Sequence, residues 1–132
     1  MRNMKIDPNC RYTQDHEWIR VEGDEGVVGI TDYAQDQLSD VVYVELPEVG
    51  DTFEQGEVFA TVESVKAASD IYLPVGGKIL EVNEELEDSP ELVNQDPFGA
   101  AWLVRIAIAD LSELDSLMDA ETYRSYVESL DH

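Results

Sequence analysis

The chain has one cysteine, Cys10, so no disulfide can form within it, and a reducing compartment fits best. It has two histidines, His16 and His132, and neither stands at metal-ligand spacing with another histidine or a cysteine. No Ser/His/Asp motif, phosphate-cradling loop or dinucleotide fingerprint is present. Its carboxylates are so numerous that close pairs arise by chance. The residue pattern therefore assigns no catalytic group and no metal site. No apolar run approaches the roughly eighteen residues of a membrane span. Residues 1–8 lack the apolar core of a secretory signal and the Arg/Ser-rich character of a transit peptide. The expectation is a cytoplasmic protein, or a mitochondrial-matrix one only after removal of a leader.

Basic residues are equally scarce. Eight Lys and Arg stand against thirty Asp and Glu, a formal charge of −22. Such a surface repels nucleic acid and anionic membranes, which need a basic footprint. It favours solubility and a monomer through mutual repulsion, and it steers the protein toward basic partner surfaces. Adaptation to high salt gives the same composition. With 132 residues and 43% apolar composition, the chain is long enough for one core but not two.

What is present is mostly short strands. Residues 18–22 alternate, 23–26 read as a turn, and 27–30 resume a strand. Asp32 as N-cap with Gln35 three residues on predicts a short helix. Residues 41–46 form a strand stopped by Pro47, and 78–82 and 102–108 read as two more. Residues 84–99 are acidic and punctuated by proline, a loop with a turn or two of helix. Near the C-terminus, Asp110 and Glu113 predict a helix with Leu111, Leu114, Leu117 and Met118 on one face. A second helix follows, with Tyr123, Tyr126, Val127 and Leu130 at helical spacing. The expectation is a mainly β fold, a sandwich or flattened barrel, with short helices including C-terminal ones from about 110. A segment 1–10 precedes a single domain over 11–132. Trp18 and Trp102 read as core anchors.

One hairpin stands out. Residues 57–63 and 70–75 are both strand-like, and the polar link between them carries Lys66, one of only three lysines. Turn lysines are usually solvated charges. A tip lysine flanked by the small residues Ser64, Ala67 and Ala68 is, however, open to a modifying enzyme. A weak repetition flanks it: Gly50-Asp51 lies sixteen residues before and Asn83 seventeen after, each joining apolar stretches through an acidic turn.

Glu63-Ser64-Val65-Lys66-Ala67, followed by Ser69-Asp70, Pro74 and Gly77, resembles the lipoyl-attachment segment of glycine cleavage H proteins. The resemblance extends over His16-Glu17-Trp18, Val28-Gly29-Ile30-Thr31-Asp32, Asp40-Val41-Val42-Tyr43-Val44-Glu45-Leu46-Pro47, Leu92-Val93-Asn94 and Asp96-Pro97-Phe98-Gly99, covering residues 11 to 130. It implies the barrel-sandwich hybrid of lipoyl and biotinyl carriers, with lipoic acid in amide linkage on Lys66. It implies a non-catalytic carrier that takes the aminomethyl group of glycine from a glycine decarboxylase (P protein) to a tetrahydrofolate-dependent aminomethyltransferase (T protein). A dihydrolipoyl dehydrogenase (L protein) then reoxidises the arm, and a lipoyl- or octanoyl-attaching enzyme installs it. Glu17 and Asp70 match the positions that shelter the loaded arm in a cleft, where a carboxylate suits a protonated amine. Glu63 is expected to aid recognition by the attaching enzyme. Tyr33 stands where some H proteins have a histidine.

Other readings remain. An H-like lipoyl carrier serving lipoate relay or sulfur metabolism shares the fold. Biotin attachment fits less well, because Val65 and Ala67 occupy the places where biotinyl domains have methionine. An unmodified acidic interaction module is the alternative from a different class.

Overall fold

A computed structural model describes residues 4–130; His132 and the first three residues of the chain lie outside the described residues. The element order is β1 (Arg11–Tyr12), β2 (Glu17–Glu22), β3 (Glu25–Ile30), α1 (Asp32–Leu38), β4 (Val41–Glu45), β5 (Thr52–Phe53), β6 (Val58–Ser64) and β7 (Ala68–Tyr72). Then come β8 (Gly77–Val82), α2 (Glu85–Asp88), α3 (Leu92–Gln95), β9 (Val104–Ile108), a 3-10 helix (Leu111–Ser116) and α4 (Ala120–Leu130). Every strand pairing is antiparallel. One sheet has the order β1-β2-β3-β9-β8-β5 and the other β4-β6-β7. Two sheets packed face to face with short helices make the barrel-sandwich architecture expected from the sequence.

The main core fills the space between the sheets. Ile19, Val28, Ile30, Val44, Val62, Ile71, Leu73, Ile79 and Ile106 all lie there. The six-stranded sheet also buries its other face at β2 and β3, where Tyr12, Trp18, Val27, Tyr123 and Val127 form a second cluster. Burial on both faces explains why β2 begins with three consecutive buried residues and β3 is buried almost throughout. Trp18 lies directly opposite Gly29 in the β2–β3 pair. A Cβ on Gly29 would come within 2.5 Å of the Trp18 ring, so the indole lies flat over a position only glycine leaves open. Its Nε1 donates to the carbonyls of Ile30 at 2.9 Å and Pro97 at 3.1 Å. Trp102 is only half-buried, packed on the edge of the second cluster, rather than a full core anchor. Residues before β1 lie against the body: the Lys5 backbone N–H donates to Asp32 at 2.9 Å, and Cys10 is buried.

Two local expectations shift. The N-cap of α1 is Thr31, whose hydroxyl accepts from the Ala34 N–H; Asp32 is the first helical residue and accepts instead from the Gln35 side chain. Both residue types cap well, and the hydroxyl one position earlier takes the role. After Asp110, whose carboxylate accepts from the Ser112 N–H, the chain makes a 3-10 helix rather than an α-helix, and Leu111 is exposed. The helix cannot continue because Met118 pairs its backbone with Tyr12 in both directions, at 2.8 and 2.9 Å. Asp119 then accepts from the Thr122 N–H to open α4. Tyr123 of α4 stacks on Tyr12, with ring centroids 4.4 Å apart, which seats the helix on the second cluster. Among the described residues, no helix is long and apolar enough to cross a membrane.

Candidate functional site

The β6–β7 hairpin closes through Val65 and Lys66. The Ser64 N–H donates to the Ala67 carbonyl at 2.8 Å, and the Ser64 hydroxyl accepts from the backbone N–H groups of Lys66 and Ala67, both at 3.1 Å. A serine that bonds the backbone two and three residues on sets the turn without glycine. Neither Val65 nor Lys66 takes a positive φ. A further bond from the Val65 N–H to the Asp40 carbonyl, 3.0 Å, ties the tip to the start of β4. The backbone under Lys66 is thus held from three sides while its side chain is exposed.

Beside β7 runs a groove of about 160 Å³. Its apolar walls are Ile30 of β3, Ala34 and Leu38 of α1, and Ile71 of β7; Asp15, His16 and Ser69 supply polar groups. Ser69 is three residues from Lys66, so the groove opens next to the hairpin that carries the lysine. An extended aliphatic chain with a polar end matches this lining.

Glu17 stands behind the groove at the head of β2. It is 1% exposed, and its carboxylate accepts from the Thr13 hydroxyl and, at 3.1 Å, from the Tyr72 backbone N–H. Both donors are neutral. Burial pushes its pKa up to about 7 from an ordinary 4.5, against the opposing pull of the Thr13 and Tyr72 hydrogen bonds. Its neighbour His16 takes φ of 70°, which turns the chain into β2. His16 Nδ1 lies 2.9 Å from the Tyr123 hydroxyl, which in turn lies 2.7 Å from the Thr31 hydroxyl. Burial lowers the His16 pKa from its usual value. The His16 ring also packs against Tyr33, with ring centroids 4.5 Å apart.

Asp70 lies elsewhere. It pairs with Thr61 and is exposed, while Ser69 and Ile71 on either side of it line the groove. Alternation along β7 therefore turns the Asp70 carboxylate away from the groove, on the outer face of the three-stranded sheet. Glu63 shares that outer face, exposed and opposite Ala68. Glu17 does not itself line the groove, although its neighbour His16 does, and Glu63 and Asp70 share the outer face beneath the tip. Cys10 is inert: burial first, then Asp7, pushes its pKa up to about 12. His16, Tyr123 and Thr13 were not assigned from sequence. His16 directly precedes Glu17, and that adjacency is the only local signal for it.

Comparison with known proteins places the chain in a family. The family model described as "Glycine cleavage H-protein" matches residues 10–130. A glycine cleavage system H protein of Halothermothrix orenii is 57% identical over 128 residues, 97% of this chain and 100% of the relative. One from Thermus thermophilus is 60% identical over 126 residues, covering 96% and 98%. A crystal structure of a glycine cleavage system H protein from Mycobacterium marinum superposes with a TM-score of 0.84 at 38% identity, covering 96% of this chain and all of that one. On both sequence and fold, the chain belongs to the glycine cleavage H-protein family.

Proposed function

We propose that Lys66 carries lipoic acid in amide linkage and that the groove beside β7 receives the loaded arm. As a member of its family the chain is a non-catalytic carrier component of the glycine cleavage system, and it works with that system's P, T and L proteins. The observation that carries the assignment to Lys66 is its position: an exposed side chain on a backbone fixed by Ser64 and Asp40, beside a groove with apolar walls. The bound group would supply a redox-active disulfide able to accept the aminomethyl unit of glycine.

The protein's own residues would then position and protect. Ile30, Ala34, Leu38 and Ile71 offer an apolar bed and exclude water from whatever lies on it. Glu17 is a buried carboxylate held by neutral donors only, so a protonated amine brought to it would supply the countercharge it lacks. Glu63 and Asp70, on the outer face, are placed to be read by a docking enzyme rather than by the sheltered arm. The aminomethyl unit would pass from glycine decarboxylase to the aminomethyltransferase, with the dehydrogenase and the attaching enzyme as the remaining partners.

The test is the intact mass of protein from a lipoate-competent host beside Lys66→Arg. A lipoyl-sized increment in the wild type that vanishes in the variant is expected. Absence of any increment, even after incubation with a lipoate ligase, would favour an unmodified acidic binding module.

A further inference from the structure

Two consecutive apolar residues of β4 face water beside the attachment lysine. An even strand would turn one in and the other out. Instead Val41 and Val44 are buried, while Val42 and Tyr43 between them are 53% and 47% exposed. The cause is an irregular ladder: Val41 pairs with Ser64 and Tyr43 with Glu63, so β4 carries one extra residue at this point. A bulge re-aims side chains, and bulges concentrate beside functional sites. Here it lies against the last two residues of β6 before the lysine turn. Val65, 65% exposed, continues the apolar surface over the tip, and its N–H bond to Asp40 holds it beside the start of β4. The exposed carboxylates of Asp40 and Glu63 border the patch.

We infer that this collar, Val42, Tyr43 and Val65 edged by Asp40 and Glu63, is the docking surface for the enzyme that acylates Lys66. The inference rests on Lys66 being the attachment residue. The matching enzyme face carries an apolar shelf rimmed with arginine or lysine, since the collar is edged with acid on a chain of net charge −22. Reach selects this partner over later ones. In the acylation, the deprotonated Nζ attacks the carbonyl carbon of an acyl-adenylate, the amide C–N bond forms, the acyl–phosphate C–O bond breaks, and AMP and one proton leave. The enzyme must therefore approach within one lysine length of the tip and meets whatever stands there. Enzymes that act afterwards meet the far end of a longer arm and stand farther off. The collar also gives selectivity: Lys78 is exposed too, but lies within β8, paired with Thr52 and Ala107, rather than at a hairpin tip.

The experiment follows octanoyl transfer to the unmodified protein by a lipoate–protein ligase with octanoate and ATP, read by intact mass. Tyr43→Ser/Val65→Ser is compared with the wild type, with Lys66→Arg, and with Val49→Ser, whose residue is 61% exposed elsewhere. The double variant is expected to raise KM for the carrier at least tenfold with kcat within twofold, and Val49→Ser to leave both unchanged. Should the double variant melt early, Tyr43→Lys alone is expected to give the same rise by opposing the cationic rim. A KM within twofold of wild type in both variants would overturn the inference. So would normal acylation combined with slowed glycine cleavage, which would assign the collar to a downstream enzyme. Label persisting in Lys66→Arg, or absent from the wild type, would overturn the attachment reading and the collar with it.

Discussion

The carboxylate of Glu17, at the head of β2 in the six-stranded sheet, accepts the backbone N–H of Tyr72, on β7 of the three-stranded sheet, at 3.1 Å. β7 is an edge strand, and an edge strand presents N–H groups with no ladder partner. A side chain from the opposite sheet satisfies one of them. The residue proposed to meet the amine of the arm therefore also joins the two layers, immediately behind the groove.

This dual role gives Glu17 a pH signature. Its folded-state pKa is raised to about 7 above an ordinary 4.5, so between those values the folded protein binds more protons than the unfolded chain. The associated stability is fully present below about 4.5 and is lost as pH rises through about 7, an effect of at most about 3 kcal/mol. Glu17→Gln removes the titration. Denaturant unfolding from pH 5 to 8 should show the wild-type curve falling more steeply than that of the variant; parallel curves would refute the linkage.

Tyr123→Phe removes the hydroxyl that meets both His16 and Thr31. The buried Thr31 and the half-buried His16 then lose a partner, and a loss of about 1–3 kcal/mol is expected in chemical denaturation. A change below about 0.5 kcal/mol would mean that water replaces the hydroxyl. The groove wall at His16 should loosen with it, seen as broadening of the His16 ring resonances.

Gly29→Ala places a methyl group against the Trp18 ring. Overpacking of this kind typically costs about 1–3 kcal/mol, because either the indole or β3 must move. Near-UV circular dichroism reports the indole, and an unchanged spectrum with unchanged stability would contradict the packing described.

Ser64→Ala leaves the Lys66 and Ala67 amides without their side-chain acceptor. Each lost bond contributes about 1 kcal/mol, so hydrogen exchange at these two amides should quicken about fivefold or more while global stability shifts little. Exchange unchanged at both positions would show the turn to be held by its flanking strands alone.

Much of this was legible beforehand because the signals are local. β-branched runs bounded by Pro47, Pro74 and the glycine pairs mark strands, and the short polar link between two such runs marks the lysine hairpin. Four features were not legible, each for a physical reason. Asp32 and Thr31 are adjacent and both cap helices, so sequence alone cannot choose between them. The 3-10 helix over Leu111–Ser116 depends on a backbone pairing between Met118 and Tyr12, more than a hundred residues apart. The burial of Glu17 depends on the edge of β7, fifty-five residues away, and a glutamate before a tryptophan reads equally as a solvated acid. The extra residue in β4 is hidden because 41–46 is apolar enough to pass for an even strand.

The clasped turn at Ser64 has a consequence for how weakly the groove can bind and still be useful. With the backbone fixed, anything attached to Lys66 searches only the volume its own rotatable bonds allow, and the groove proposed to receive it is lined by Ser69, three residues along the chain. A short tether of this kind gives an effective concentration in the mM range. A groove with an intrinsic dissociation constant of about 1 mM would then be filled roughly half the time. Affinity of that size is low enough for the cargo to leave on the timescale of an encounter, so residence and release are set by the same tether.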